Sequence, residues 1–309
     1  MSMTHGSTSR TRGTPRLTFA RLLAVALIFP VSLAVHAEET TGLRIKGSES
    51  MLRVAQAWTS VYQSQVEPVP FWVQGGGSGR GISALINGHA QIATLSRVME
   101  PRESRLAQRR FQDKPRLYQV GWDGLGIVVH TANPLKELSL EEVREIFGQQ
   151  GRLREWSALH QKIEGCPGGK IQVYARTAHS GSQHVFLDKV FRERERLRTE
   201  SILLDSPEEV LARVAMDPCG VAFASMNARD TGVRMVCLRA TPSKSCFLPD
   251  PAHVISGEYP LTRPLYLMTQ PQEPPIVARF IDWTLSEAGQ AILSRNGFTP
   301  LAAVEAKKH

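Results

Sequence analysis

Apolar residues recur along this chain in two rhythms, short continuous runs and spacings of three to four, with small-residue turns between them. Met51, Val54, Ala55, Trp58, Val61 and Tyr62 repeat at helical spacing and predict a helix over residues 51–65, ended by Pro68 and Pro70. Residues 71–74 read as a short strand. Ile82, Leu85 and Ile86 predict a short helix closed by Gly88, and residues 91–95 a third strand. Residues 117–130 hold two apolar runs around Asp123-Gly124. Ser139 suits the cap of a helix over 140–147, and Glu142 completes a capping box. Further strands are predicted at 170–174, 219–224 and 265–268, and a long amphipathic helix over 275–293. Trp58, Trp72, Trp156 and Trp283 fall at positions that fit core packing. The repeated strand–turn–helix rhythm predicts an α/β chain with a mostly parallel sheet and helices on its faces. Ligands of such sheets sit at the carboxyl ends of the strands.

Two of these strand-to-helix turns carry candidate chemistry. They are Gly47-Ser48-Glu49-Ser50-Met51 and Gly75-Gly76-Gly77-Ser78-Gly79. Such a turn leaves backbone N–H groups unpaired, the helix dipole adds partial positive charge, and serine hydroxyls add rotatable donors. Two of them side by side suit a small oxyanion. A single Gly/Ser turn is common, however, and Ser50 would serve equally well as a helix N-cap. Later turns add Ser96-Arg97 after the third strand, and the 175–183 stretch Ala-Arg-Thr-Ala-His-Ser-Gly-Ser-Gln, which contains Arg176.

Residues 1–37 change the charge picture. Arg10, Arg12, Arg16 and Arg21 precede an apolar run from 22 to 35, and Val35-His36-Ala37 fits a small-x-small cleavage rule, which predicts a secretory signal peptide cleaved after Ala37. The run is shorter than the ~20 residues of a spanning helix. An exported chain in a periplasm is expected. Taking those four arginines from the 37 Lys and Arg leaves 33 bases against 29 acids, a net +4, too mild for a nucleic-acid signature. The run from Arg192 to Arg196 alternates in sign and reads as a solvated helix face. Cys166, Cys219, Cys237 and Cys246 allow three pairings in an oxidising compartment. Cys237 and Cys246 flank a short loop, which favours that pair and leaves Cys166 with Cys219. No Cys/His spacing suggests a metal, and no cofactor is expected. Residues 302–309 read as a disordered tail.

Taken together, Ile45-Lys46-Gly47-Ser48, the 75–88 glycine turn and helix, Ile92 to Arg97, Asp123-Gly124-Leu125-Gly126, Asn133-Pro134-Leu135, Glu142 to Gly148, Arg176 with Ser180-Gly181-Ser182, and Tyr259-Pro260-Leu261-Thr262-Arg263-Pro264-Leu265-Tyr266 resemble one family. They look like the phosphate-binding proteins of high-affinity phosphate ABC importers, the PstS family of type 2 periplasmic binding proteins. The resemblance implies two α/β lobes with the anion between them: residues 43–122 plus 264–301 in one, residues 125–258 in the other. It implies ligand contacts from Ser50, Met51, Ser78, Ser96, Arg97, Arg176, Ser180, Gly181 and Ser182. It also implies a monomer that captures inorganic phosphate and hands it to ABC transporter membrane subunits, with no catalysis. Some members carry Asp where this chain has Arg97, and a Ser-Arg pair occurs in another branch. Glu49, His179 and Gln183 also depart from the commoner residues. The alternatives are a receptor for sulfate, molybdate or tungstate, and a secreted phosphatase. For the phosphatase, neither Ser78 nor Ser180 sits in a Gly-x-Ser-x-Gly elbow.

Overall fold

A computed structural model describes residues 42–191 and 195–301. The signal peptide, the start of the charge-alternating run and the tail expected beyond residue 301 lie outside the described residues. The elements in order are β1 (Leu43–Gly47), a 3₁₀ turn (Glu49–Met51), α1 (Leu52–Gln65), β2 (Phe71–Gln74), α2 (Ser78–Ile86), β3 (Ile92–Leu95), α3 (Pro101–Phe111), β4 (Arg116–His130), β5 (Glu137–Ser139) and α4 (Leu140–Phe147). There follow β6 (Gln172–Arg176), α5 (Gly181–Val190), β7 (Ile202–Leu204), α6 (Pro207–Met216), β8 (Gly220–Ser225), β9 (Val233–Arg239), α7 (Pro251–Ser256), β10 (Thr262–Thr269), α8 (Pro275–Leu285), α9 (Glu287–Arg295) and β11 (Thr299–Pro300).

The strands run in the order β2-β1-β3-β10-β4-β8-β6-β7, with β9 and β11 also pairing to β4. The outer pairs, β1 with β2 and β3, and β6 with β7 and β8, are parallel as strand–helix–strand units require. The middle is not. The pairings of β10 with β3 and β4, and of β4 with β8, are antiparallel, so the sheet is mixed and the expected mostly parallel sheet is corrected. Strand β10 returns from late in the chain and inserts antiparallel between β3 and β4, and β4 itself runs antiparallel to β8 and β9.

Two large apolar cores flank these central strands. Trp58, Tyr62, Leu265, Leu267, Phe280 and Leu293 belong to one, and Ile127, Val129, Phe147, Trp156, Phe186 and Phe223 to the other. Strand β4 gives Val120 to the first core and Leu125, Ile127 and Val129 to the second, so it runs from one to the other. It does so without a break at Asp123-Gly124. A Cβ at Gly124 would lie 2.7 Å from Pro249, so only glycine lets that loop pack there. The Asp123 carboxylate stays in the strand because β10 and β8 supply its partners.

The helix expected over 275–293 is two helices, α8 and α9, divided at Ser286. Ser286 is extended (φ −69°, ψ 167°) and its hydroxyl accepts the Gly289 N–H, so it starts a new helix. The apolar spacing runs through the break because Phe280, Ile281, Ile292 and Leu293 all face the same core. Trp72 is 55% exposed, against the expectation of core packing. It points outward from the edge strand β2, where Phe71 and Val73 take the core face. In the Arg192–Arg196 run, Glu195 and Arg196 are not helical. Helix α5 ends at Val190, and the Arg196 carbonyl accepts the Gln149 N–H at 2.8 Å. The capping box of Ser139 and Glu142 forms as read. Disulfides join Cys166 to Cys219 and Cys237 to Cys246. Within the described residues no helix is long and apolar enough to cross a membrane.

Candidate functional site

Three strand-to-helix turns converge. The first, after β1, carries Ser48, Glu49 and Ser50. The second, before α2, carries Gly75 to Ser78. The third, after β6, carries Ser180 to Ser182. Ser96, just beyond β3, lies between the first two. Ser48, Ser50, Ser78, Ser96, Ser180 and Ser182 are all buried. Their hydroxyls bond largely to one another. Ser48 Oγ donates to Ser96 Oγ at 3.1 Å, Ser78 Oγ lies 3.3 Å from Ser96 Oγ, and Ser50 Oγ lies 3.2 Å from Ser182 Oγ. Ser96 N–H donates to Ser78 Oγ at 3.1 Å. The turns touch directly. Gly77, at φ 102°, packs its Cα against the His179 carbonyl, where a side chain would collide. A Cβ on Gly181 would strike the Ser78 and Ser96 hydroxyls.

The charges nearby decide what such a cluster can hold. Arg97 is buried, but its fork is taken by Glu103, with both bonds at 2.7 Å and a further Nη1 bond to the Val98 carbonyl. The structure therefore does not free Arg97 for a ligand. Arg263, fully buried, forks onto Asp123 at 2.9 and 2.6 Å. Arg176 differs from both. It is 4% exposed, and among the described residues no carboxylate lies within ion-pair distance of it. Its Nε and Nη2 donate to the carbonyls of Leu204 and Asp205, and Nη1 has no hydrogen-bond partner among the described residues. Burial holds its guanidinium below the usual arginine range, while Glu49 and Glu208 pull the other way. Many neutral donors thus lie near a buried cation that has no ion-pair partner among the described residues, which is the chemistry of an oxyanion site.

Ser50, Ser78, Ser96, Gly181 and Ser182 are brought together, and Arg176 stands near enough to feel the charges of Glu49 and Arg263 while its side chain bonds the Leu204 and Asp205 carbonyls. Ser180 caps α5, its hydroxyl accepting the Gln183 N–H at 3.3 Å, and Gln183 in turn accepts the Arg176 N–H at 3.3 Å. Met51 is fully buried in a core, and its N–H already donates to the Ser48 carbonyl at 3.1 Å. Ser50 is not a side-chain cap: α1 has none, and the Ser50 hydroxyl faces Ser182 and Arg263 instead. Glu49 folds into the glycine turn, where its carboxylate accepts the Gly76 N–H. His179 is an exposed loop residue that offers only its carbonyl.

The sequence reading missed two residues of this cluster, Asp123 and Arg263. Each is a lone charge inside an apolar strand, and opposite charges in two such strands signal a buried pair. Beside them, Glu49, Ser50, Arg53, Glu208, Ser225 and Arg229 line a cavity of about 120 Å³.

A curled mixed sheet with an anion-suited cluster where its turns meet is the type 2 periplasmic-binding arrangement, and the comparisons agree. The PBP superfamily domain matches residues 34–288, and the chain belongs to that superfamily. The phosphate-binding protein PstS of Pseudomonas aeruginosa is 26% identical over 273 residues, covering 85% of this chain and 84% of its own. The PstS of Bacillus subtilis is 25% identical over 266 residues, covering 85% and 82%. Among solved structures, a phosphate-bound chain from Clostridium perfringens aligns with TM-score 0.74 at 22% identity, covering 84% of this chain and 99% of its own. An ABC-type phosphate transport receptor from Vibrio cholerae aligns with TM-score 0.65 at 25% identity, covering 83% and 99%.

Proposed function

We propose that this chain is an exported solute-binding protein that captures inorganic phosphate between two lobes and delivers it to the membrane subunits of an ABC importer. The observation that carries the reading is Arg176, a buried guanidinium with no carboxylate at ion-pair distance among the described residues, near enough to the serine-bearing turns to feel Glu49 and Arg263. A buried cation is costly unless something neutralises it, and a dianion does so on binding. Relatives named as phosphate-binding proteins support phosphate as that dianion. The lobes are residues 43–122 with 264–301 and residues 125–258, hinged where β4 and β10 pass between the two cores. Phosphate contacts come from Ser50, Ser78, Ser96, Arg176, Gly181 and Ser182.

Admitting the ion requires the third turn to part from the first two. Closing again removes water and strengthens each contact. The protein binds without chemistry in this reading. The cluster's serine hydroxyls bond to hydroxyls, an arginine and backbone groups, and among the described residues no imidazole is one of their partners. Residues 1–37 direct it to a periplasm and are removed after Ala37. Equilibrium dialysis of the mature protein, stripped of anion, against radiolabelled phosphate tests the reading. One phosphate per chain is expected, and no retained label contradicts it.

A further inference from the structure

Arg263 hydrogen-bonds the hydroxyls of two of the converging turns. It stands directly opposite Asp123 in the β10–β4 ladder, where both strands pass between the two cores. Its Nε and Nη2 hold Asp123 Oδ2. Its Nη1 donates to Ser182 Oγ at 2.9 Å and its Nη2 to Ser50 Oγ at 3.1 Å. Ser50 belongs to the turn after β1 and Ser182 to the turn after β6, so one guanidinium bonds both sides of the proposed cleft.

Guanidinium donates and never accepts, so Ser50 and Ser182 must each present a lone pair to Arg263. Asp123 cannot take their protons. Its Oδ2 holds two Arg263 bonds, and its Oδ1 accepts from Ser225 Oγ at 2.7 Å and Met226 N–H at 3.2 Å. The single contact between Ser50 and Ser182 holds one hydroxyl proton. The other has no acceptor within the pair or on Asp123, which leaves it available to a ligand.

We propose that Arg263 is a positioning residue for the oxyanion. It occupies a lone pair on each of Ser50 and Ser182, so that one of the two hydroxyls donates within the pair and the other is left as a donor for the ligand, while Asp123 cancels its charge so that it adds no cation of its own. This rests on the oxyanion-binding reading above. It also explains why the pair sits where the two halves join: Arg263 reaches both hydroxyls only when the turns are together, so its fork favours the closed arrangement. A hydroxyl held as a donor loses less orientational freedom on binding than a free rotor.

The test is a double-variant cycle read by calorimetric titration with phosphate, using wild type, Arg263→Lys, Ser182→Ala and the double variant. Lysine keeps a charge opposite Asp123 but has no fork to reach both serines. Arg263→Lys is expected to weaken binding at least about tenfold. Ser182→Ala is expected to cost about tenfold in the wild type and less than about threefold in Arg263→Lys. Wild-type affinity in Arg263→Lys, or an equal cost of Ser182→Ala in both backgrounds, overturns the proposal. If the wild type itself binds no oxyanion, the functional reading fails instead, and the two failures are distinct. Where Arg263→Lys does not fold, side-chain ¹⁵N signals of the wild type decide. The guanidinium signal that moves in both Ser50→Ala and Ser182→Ala is Arg263. It is expected to shift on phosphate saturation, and a signal indifferent to phosphate overturns the proposal.

Discussion

Replacing Arg176 by methionine removes the buried charge while keeping most of the volume. In the absence of anion the change cuts both ways. Two donors to the Leu204 and Asp205 carbonyls are lost, at about 1 kcal/mol each. The cost of burying a guanidinium without a carboxylate partner is lost as well, and that cost is what holds its pKa down. The two offset, so stability in phosphate-free buffer should change by less than about 2 kcal/mol. Binding should behave differently. A fork offers two charge-assisted bonds to the ion at about 1.5–3 kcal/mol each, so the variant should lose roughly 3–6 kcal/mol, about 10²–10⁴-fold in Kd. Urea unfolding with and without phosphate separates the two effects. At 100 times the wild-type Kd, phosphate should stabilise the wild type by about 2.7 kcal/mol and the variant hardly at all. A variant that binds phosphate within threefold of the wild type refutes the ligand role. One that loses more than about 3 kcal/mol without phosphate shows Arg176 to be a structural tie between β6 and the β7 turn.

Three further outcomes are expected. Gly181→Ala should weaken phosphate binding about 5- to 150-fold, because its Cβ meets the Ser78 and Ser96 hydroxyls in the closed arrangement and overpacking costs about 1–3 kcal/mol; unchanged affinity in the same titration shows that the turns do not need that contact. Glu49→Gln should raise sulfate affinity and lower the phosphate-to-sulfate ratio, since the carboxylate folded into the glycine turn repels a fully ionised anion and can accept a proton from hydrogen phosphate; an unchanged ratio dismisses that role. The third outcome concerns alkaline stability. Burial first, and then the bond to Asp217, raise the Tyr174 phenol to about 12. The unfolded phenol ionises near 10, so the folded state binds more protons between about pH 10 and 12 and stability falls with rising pH. Arg198, lowered by burial to about 10, works the other way over that range. Tyr174→Phe should therefore lose stability less steeply from pH 10 to 12 in urea titrations, and a slope equal to the wild type removes Tyr174 as the cause.

The sequence made the ends of the elements legible where local chemistry sets them. Ser139 and Glu142 form the capping box that their spacing announces, and the glycine turns fall before α2 and after β1. It misled where a distant residue decides. Ser286 begins a new helix inside an unbroken apolar stripe, because α8 and α9 share one core. The sheet is mixed because β10 inserts from late in the chain and β4 runs antiparallel to β8 and β9, pairings that periodicity cannot express. Among candidate site residues, Ser78, Ser96 and Ser182 converge because each sits in a turn with a recognisable pattern. Arg97 and Arg176 both follow strands, and the Ser180-Gly181-Ser182 turn favoured Arg176. What separates them is Glu103, six residues on and one helix turn into α3, whose carboxylate takes the Arg97 fork. Asp123 and Arg263 lie 140 residues apart, and only the β4–β10 register shows that they meet.

The central claim is that the serine cluster and Arg176 bind phosphate in preference to other oxyanions. Calorimetric titration of the mature, anion-stripped protein with phosphate and then with sulfate tests it most directly. The account predicts one tight phosphate site per chain and much weaker sulfate binding. Equal or tighter sulfate binding, or no heat from either ion, contradicts it.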